Sequence, residues 1–270
     1  MERPAWAPHG IDLSVPSVSR MYDYYLGGSH NFEVDRAAAR QAIAAFPGLP
    51  KIMQTNRAFM RRAVRFALGE GVTQFLDIGS GIPTFGNVHE VAQAASDEAR
   101  VVYVDNDPVA VAHSRAVLEG DERTAVLAAD FRSPRQIVEA PETRGLLDFD
   151  RPVALLLVAL LHFIEDKDDP WGSLAVLRDA LPAGSLLVIN HASVDGGTVP
   201  AERGENVSSV YRNAGSNLIM RSRAEVERFF DDFRLVEPGL VAAPNWRPDG
   251  PVGQEDPVVF NGLAGVGRKA

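Results

Sequence analysis

The sequence contains no cysteine. That absence excludes disulfides, thiolate nucleophiles, iron–sulfur clusters and cysteine-ligated zinc, and leaves an apolar core as the source of stability. Lysine is nearly missing as well: of 27 basic residues only Lys51, Lys167 and Lys269 are lysine. Acidic residues number 36, which gives a formal net charge of −9. A chain of that sign is repelled by a phosphate backbone, so no nucleic-acid partner is expected. Long apolar runs are also lacking. The longest, Val153 to Leu161, is too short to span a bilayer, and Met1 to Trp6 carries no apolar signal segment, so no membrane association and a cytoplasmic location are expected. His9, His30, His89 and His113 show no ligand spacing, and no metal is expected.

What is present is ordinary globular material, 270 residues with 46% hydrophobic and 23% charged side chains. From about Thr73 onward, short β-branched runs alternate with longer helical patterns, as in a parallel sheet covered on both faces. The candidate strands are Gln74–Ile78, Arg100–Val104, Ala125–Ala128, Val153–Val158, Ser185–Ile189, Arg234–Glu237 and Val258–Leu263. Asp107-Pro108, Ser133-Pro134 and Asp169-Pro170 each place a capping side chain before a proline suited to the first helical turn, and Ser222 to Glu225 reads as a capping box. The first 70 residues show no strand pattern. They read as a helical extension or lid (1–70) before the main unit (71–270), with helices over Asp35–Phe46 and Thr55–Leu68, Thr55 acting as N-cap. Phe59, Met60 and Phe66 on the second of these carry more apolar surface than one chain is expected to bury, which suggests a homo-oligomer.

The first strand ends Leu76-Asp77-Ile78 and enters Gly79-Ser80-Gly81, glycines that let the backbone turn sharply beside a ligand. The second strand ends at Asp105, 24 residues after Gly81, with Asn106 beside it. A carboxylate there accepts hydrogen bonds from ribose hydroxyls. The third runs into Asp130-Phe131, an acceptor for an adenine amino group next to an apolar surface. Three successive strands ending in aspartate point to a nucleoside ligand, although each aspartate also reads as a cap or loop acid, Asp107 most readily as the N-cap before Pro108.

These residues resemble the class I S-adenosylmethionine-dependent methyltransferases. Within them the chain resembles an actinobacterial S-adenosyl methyltransferase family formerly known as a domain of unknown function. The closer likeness rests on Pro16 to Phe32, Asn56-Arg57-Ala58-Phe59, Gln74 to Thr84, Tyr103 to Pro108, Leu161-His162-Phe163 and Gly265 to Lys269. The resemblance implies a Rossmann-like, doubly wound α/β sheet of seven strands, mostly parallel with an antiparallel last strand, and S-adenosylmethionine as cofactor, released as S-adenosylhomocysteine. It implies that Asp77, Gly79, Ser80 and Gly81 frame the methionine part, Asp105 and Asn106 the ribose, and Asp130 with Phe131 the adenine. Ile82-Pro83 departs from the broad superfamily; Pro83 delays the next helix to about Asn87.

Methyl transfer needs a base only if the acceptor must lose a proton. His162, past the fourth strand, and His191, past the fifth, are the candidate catalytic groups, each equally readable as a packed histidine. Tyr22, Tyr25, His30 and Asn31 around Gly27-Gly28 are candidate lid residues, and Arg20 and Arg57 are candidate partners for the cofactor carboxylate or an anionic substrate. The polar stretch Gly196–Asn217 is a candidate for acceptor specificity. The acceptor itself is expected to be a small molecule. Two other readings stay open: a binding protein without transfer activity, and a nicotinamide-dependent oxidoreductase, disfavoured because Gly79 to Thr84 holds no third glycine.

Overall fold

The computed structural model describes residues 7–8, 11–195, 201–252, 259 and 261–270. Three helices come first, α1 (Val18–Tyr25), α2 (Glu33–Ala45) and α3 (Leu49–Gly69). Strands and helices then alternate: β1 (Gln74–Ile78), α4 (Val88–Ala95), β2 (Arg100–Asp105), α5 (Pro108–Val117), β3 (Thr124–Ala128), α6 (Pro134–Glu139), α7 (Pro141–Leu146), β4 (Val153–Val158), α8 (Pro170–Ala180) and β5 (Leu186–Ala192). The chain ends with α9 (Ala201–Asn213), α10 (Arg223–Glu227), β6 (Phe233–Leu235), β7 (Val241–Ala242) and β8 (Gly262–Lys269).

The sheet runs β3-β2-β1-β4-β5-β8-β6, with β7 also on β8. Strands β1 to β5 are parallel, and β8 is antiparallel to β5, β6 and β7. This is the doubly wound, mostly parallel sheet that the sequence suggests, with eight strands in place of seven. Glu237-Pro238-Gly239 is the reason for the extra one. Proline has no amide to give a ladder, so the return beside β8 splits into β6, facing Gly267–Lys269, and β7, facing Leu263–Ala264. The last strand also differs from Val258–Leu263: it begins at Gly262 and continues to Lys269, while Val258 lies outside the described residues.

The period-2 alternation of the strands sorts the core into two faces. Leu76, Ile78, Val102, Val104, Leu155 and Leu157 meet the side packed by α6, α8 and α10. Phe75, Val101, Tyr103, Leu156 and Val188 meet Phe59, Met60, Ala63, Val64 and Ala67 of α3. By the same alternation Asp77 and Asp105 belong to the α3 face, which brings Arg57 of that helix into their neighbourhood.

Helix α3 starts six residues earlier than its expected cap. Pro50 lies in its first turn, and Thr55 sits inside the helix with Oγ1 donating to the Lys51 carbonyl at 2.9 Å. Phe59 and Met60 are buried against their own sheet, and Phe66, partly buried, packs on Trp246 beneath Arg247. Helices α1 and α2 form a separate small core with α9. No helix among the described residues is long and apolar enough to cross a membrane.

Candidate active site

A cleft of about 280 Å³ opens at the carboxyl ends of β1, β2 and β4, where parallel sheets of this kind hold ligands. Its floor is the turn after β1. Gly79 and Gly81 have φ of +73° and +68°, values that side chains with a Cβ rarely adopt. The Gly81 amide donates to Asp105 Oδ2 at 2.7 Å, and Asp107 N donates to Asp105 Oδ1 at 2.8 Å. Burial pushes Asp105 up to about 6, against the pull of those amides.

Asp77 also lines the cleft and is almost completely buried. No hydrogen bond to its carboxylate occurs among the described residues, and burial raises its pKa to about 7 even though the Arg57 charge pulls it down. Arg57 lines the cleft too, with one guanidinium nitrogen donating to Asn87 Oδ1 at 2.7 Å while its buried Nε has no partner. Asn87 is the N-cap of α4 and also bonds Thr84, so Arg57 is fixed to the glycine loop through the helix start that Pro83 delays. A carboxylate lacking donors and a guanidinium whose Nε lacks an acceptor face one space. That is the complement of an amino-acid ammonium and carboxylate.

At the other end, Asn106 donates to Asp130 Oδ2 at 2.8 Å, and Arg132 forks onto the same carboxylate, holding Asp130 down at about 2. Phe131 is buried and lines the cleft with Ala129. Thus Asp77, Gly79, Ser80, Gly81, Asp105, Asn106, Asp130, Phe131 and Arg57 are all brought to one cleft. Sequence reasoning missed Ser19 of α1, Met60 of α3, Ala159 and Leu160 after β4, and Glu165. Ala159 has φ of +59°, a strained conformation for a residue with a Cβ, which the sequence gives no means to foresee.

A second chamber of about 100 Å³ adjoins the cleft, and Tyr22 and Phe163 line both. Its walls include Tyr22 of α1, Phe46 just after α2, residues of α3 and α9 and the carboxyl end of β5, and His162 lines it. His162 Nδ1 accepts from the Ala192 amide at 3.2 Å, which fixes the proton on Nε2. Burial and the neighbouring His191 and Arg221 charges hold its pKa well below the ordinary histidine value. Its neutral ring therefore offers an N–H and no lone pair, which corrects the expectation of a general base. His191 is fully buried and lines neither space. Its Nδ1 meets the Ala192 carbonyl at 2.6 Å and its Nε2 meets Arg221 at 2.9 Å, so it acts in packing and positioning rather than at the reacting atoms.

Most of the lid candidates lie elsewhere. Arg20 is buried, donating to Asp35 at 3.0 Å and to the Val15 carbonyl at 2.6 Å, and is therefore not available to an anion. The Gly27-Gly28 turn wraps Asp23, whose Oδ2 accepts from His30 N at 2.9 Å and Asn31 Nδ2 at 2.7 Å. A Cβ on Gly28 would stand 2.0 Å from that carboxylate, which is why glycine is needed there. His30 stacks on His113, and Tyr25 meets Tyr211 through its hydroxyl at 3.3 Å. Of the lid candidates, only Tyr22 reaches the cleft. Of the Gly196–Asn217 stretch, Gly196 and Gly197 lie outside the described residues, Ala201–Asn213 is helical, and Gly215 to Asn217 line the cleft. No group of three His, Cys, Asp or Glu side chains suited to a metal occurs among the described residues.

No curated protein matches the sequence. Among solved structures, a candidate methyltransferase from Thermobifida fusca YX shares 43% identity over 98% of this chain and 99% of its own, with a TM-score of 0.92. A DUF574 family protein from Streptomyces avermitilis MA-4680 shares 38% identity over 96% of this chain and 99% of its own, with a TM-score of 0.91. The Burkholderia thailandensis 1,6-didemethyltoxoflavin-N1-methyltransferase, solved with 1,6-didemethyltoxoflavin and S-adenosylhomocysteine, has the same fold at 17% identity, covering 87% of this chain and 88% of its own with a TM-score of 0.51. The sequence profile described as S-adenosyl methyltransferase matches residues 4–270, and with that match the chain belongs to the S-adenosyl methyltransferase family, whose methyl donor is S-adenosylmethionine.

Proposed function

We propose that the cleft binds S-adenosylmethionine and that the methyl acceptor is a small molecule. When bound, the cofactor supplies an electrophilic methyl group on a sulfonium centre. In this reading Asp77 takes the ammonium and Arg57 the carboxylate of the amino-acid part, with Gly79, Ser80 and Gly81 presenting backbone beneath it. Asp105 and Asn106 take the ribose. Asp130 takes the adenine amino group and Phe131 packs on the ring.

The observation that carries the acceptor class is the chamber behind Tyr22 and Phe163. It continues the cleft into the fold, and about 100 Å³ is room for a small molecule and not for a nucleic acid or a folded protein. The residues here act by binding and orienting, which is sufficient when the acceptor brings a lone pair of its own. Calorimetric titration with S-adenosylmethionine, S-adenosylhomocysteine and NAD tests the cleft. Binding of the two sulfur nucleosides, weakened in Asp77→Asn and Asp105→Ala, is expected; binding of NAD instead would overturn the assignment. Turnover with small acceptors would separate an enzyme from a binding protein.

A further inference from the structure

The chamber next to the cleft has a definite chemical character. Phe46, Leu49, Ile52, Met53, Val207 and Met220 are among its walls, with Tyr211 and Phe163 at one side in ring contact, their centroids 5.4 Å apart. None of its described lining residues is Asp, Glu, Lys or Arg. A charged group placed there would be buried without a counter-charge, at a cost far larger than a small ligand recovers. Its volume, about 100 Å³, compares with the roughly 150 Å³ of an apolar cavity that takes up benzene. The polar groups include His162, whose Nε2–H has no partner among the described residues and whose ring lines the chamber but not the cleft.

We propose that this chamber is the acceptor site and that it takes an uncharged, one-ring aromatic or heteroaromatic compound carrying a hydrogen-bond acceptor, which His162 holds through Nε2–H. The inference rests on the cleft being the cofactor site. Since His162 is in the chamber and not in the cleft, the atom it holds and the atom that receives the methyl group are different atoms of the acceptor. His162 is thus a positioning residue. Tyr22, at the opening, is no base either: burial pushes its hydroxyl up to about 12, and it donates to the Met53 carbonyl at 3.3 Å. The acceptor must bring an available lone pair, as a ring nitrogen or an aromatic amine does. That pair forms the new bond to carbon, the electrons of the broken bond leave with sulfur, and the positive charge passes to nitrogen. The lone pairs of an unactivated alcohol are too weakly nucleophilic while its proton has no base to go to, and it is not methylated.

The methionines make the test direct. Met60 lines the cleft, Met53 and Met220 line the chamber, and Met21 is fully buried and lines neither. In protein labelled with carbon-13 at the methionine methyls, S-adenosylhomocysteine should shift Met60. In the saturated complex, 3-methylpyridine and its carbon isostere toluene should then shift Met53 and Met220 and leave Met21 in place, 3-methylpyridine binding about tenfold tighter, the equivalent of one good hydrogen bond. His162→Asn keeps an acceptor for the Ala192 amide and takes away the Nε2–H that faces the chamber, its own shorter amide N–H2 standing where the ring Cδ2 was. It should erase the preference for 3-methylpyridine without changing the binding of toluene. Leu218→Trp, which fills the chamber, should abolish both chamber shifts while Met60 still responds to S-adenosylhomocysteine.

If Met60 responds and the chamber methyls ignore both rings, the acceptor site is wrong and the cofactor site stands. If Met60 does not respond, the cofactor reading fails and this inference falls with it. Equal affinity for the two rings in the unmodified protein, or shifts that persist in Leu218→Trp, would also overturn it.

Discussion

The backbone amide of Gly81 and the carboxylate of Asp105 meet at 2.7 Å, joining the turn after β1 to the end of β2 across the cleft. The same carboxylate receives the Asp107 amide at 2.8 Å. Asp105 thus shapes the glycine loop as well as facing the ligand. Asp105→Ala leaves two amides without their acceptor, at about 1–3 kcal/mol each where water cannot replace it. We expect a melting temperature several degrees below that of the unmodified protein and at least tenfold weaker binding of S-adenosylhomocysteine by calorimetry. Unchanged affinity would remove Asp105 from the site.

Asp77 and Asp105 give the protein opposite pH responses with and without ligand. Burial raises Asp77 to about 7 and Asp105 to about 6, while both ionise near the ordinary carboxylate value in the unfolded chain. The stability these groups contribute is fully present below that ordinary value and is lost as pH rises through 6 and 7. Ligand binding runs the other way. An ammonium requires ionised Asp77, so S-adenosylhomocysteine affinity should climb about tenfold per pH unit up to about 7 and then level off. Asp77→Asn should melt higher than the unmodified protein at pH 8, by on the order of 2–4 kcal/mol, yet bind at least 100-fold more weakly. Melting curves and calorimetry across this range check both halves, and a flat affinity profile for the unmodified protein would argue against Asp77 as the ammonium site.

The cleft was legible in the sequence because Asp77, Asp105 and Asp130 each stand at or near the end of a strand and the glycines need their turn. Position along a parallel strand fixes which edge a residue reaches, and alternation fixes its face. Asp77, Asp105 and Asp130 could be placed on those grounds alone. The N-terminal block was not legible in the same way. Arg20, His30 and Asn31 are residue types that bind ligands, but Arg20 and Asn31 spend their side chains on Asp35 and Asp23, and His30 gives Asp23 its backbone amide while its ring packs on His113, choices that spacing does not record. Nor did the sequence signal the chamber. Phe46, Met53, Phe163 and Met220 come together only when α2, α3, α9 and the end of β5 are packed, and each reads locally as ordinary core.

Asp35 shows how the N-terminal helices are held to the sheet domain. It is fully buried and accepts from Ser17 N at 2.9 Å, Arg20 Nε at 3.0 Å and Phe32 N at 2.8 Å. Ser17 in turn donates to Asp107, the cap of α5, and Arg20 lies 3.8 Å from the same carboxylate. Asp35→Ala strands a buried guanidinium and two amides, so a loss of about 3–5 kcal/mol is expected from denaturant melts. Because Tyr22 of α1 lines both spaces, loosening this staple should also weaken ligand binding in the chamber more than in the cleft. A variant as stable as its parent would show that the N-terminal helices are not anchored through Asp35.

Arg221 fixes the floor behind His162, and its loss should separate positioning from catalysis. It is 1% exposed, and its Nη1 donates to the Leu161 carbonyl and His191 Nε2, both at 2.9 Å. Its Nη2 donates to the Ile164 carbonyl at 2.8 Å and Asp166 Oδ1 at 2.6 Å, and the guanidinium lies over the rings of Trp171 and Phe229. One side chain thus binds the segment leaving β4 to β5, on either side of His162. Arg221→Met fills similar space but leaves the Ile164 carbonyl and an imidazole nitrogen without donors and takes from the Leu161 carbonyl one of its two. It should cost about 3–5 kcal/mol, or a fall of roughly 6–15 °C in Tm. His191→Gln removes less and should cost about 1–3 kcal/mol. Neither residue lines the cleft, so both variants, measured below their melting range, should bind S-adenosylhomocysteine within about threefold of the unmodified protein, a difference of under 1 kcal/mol. A fully stable His191→Gln protein that had lost all methyl transfer would instead put His191 back among the reacting groups, because a residue that acts only through packing cannot remove activity without disturbing the fold it packs.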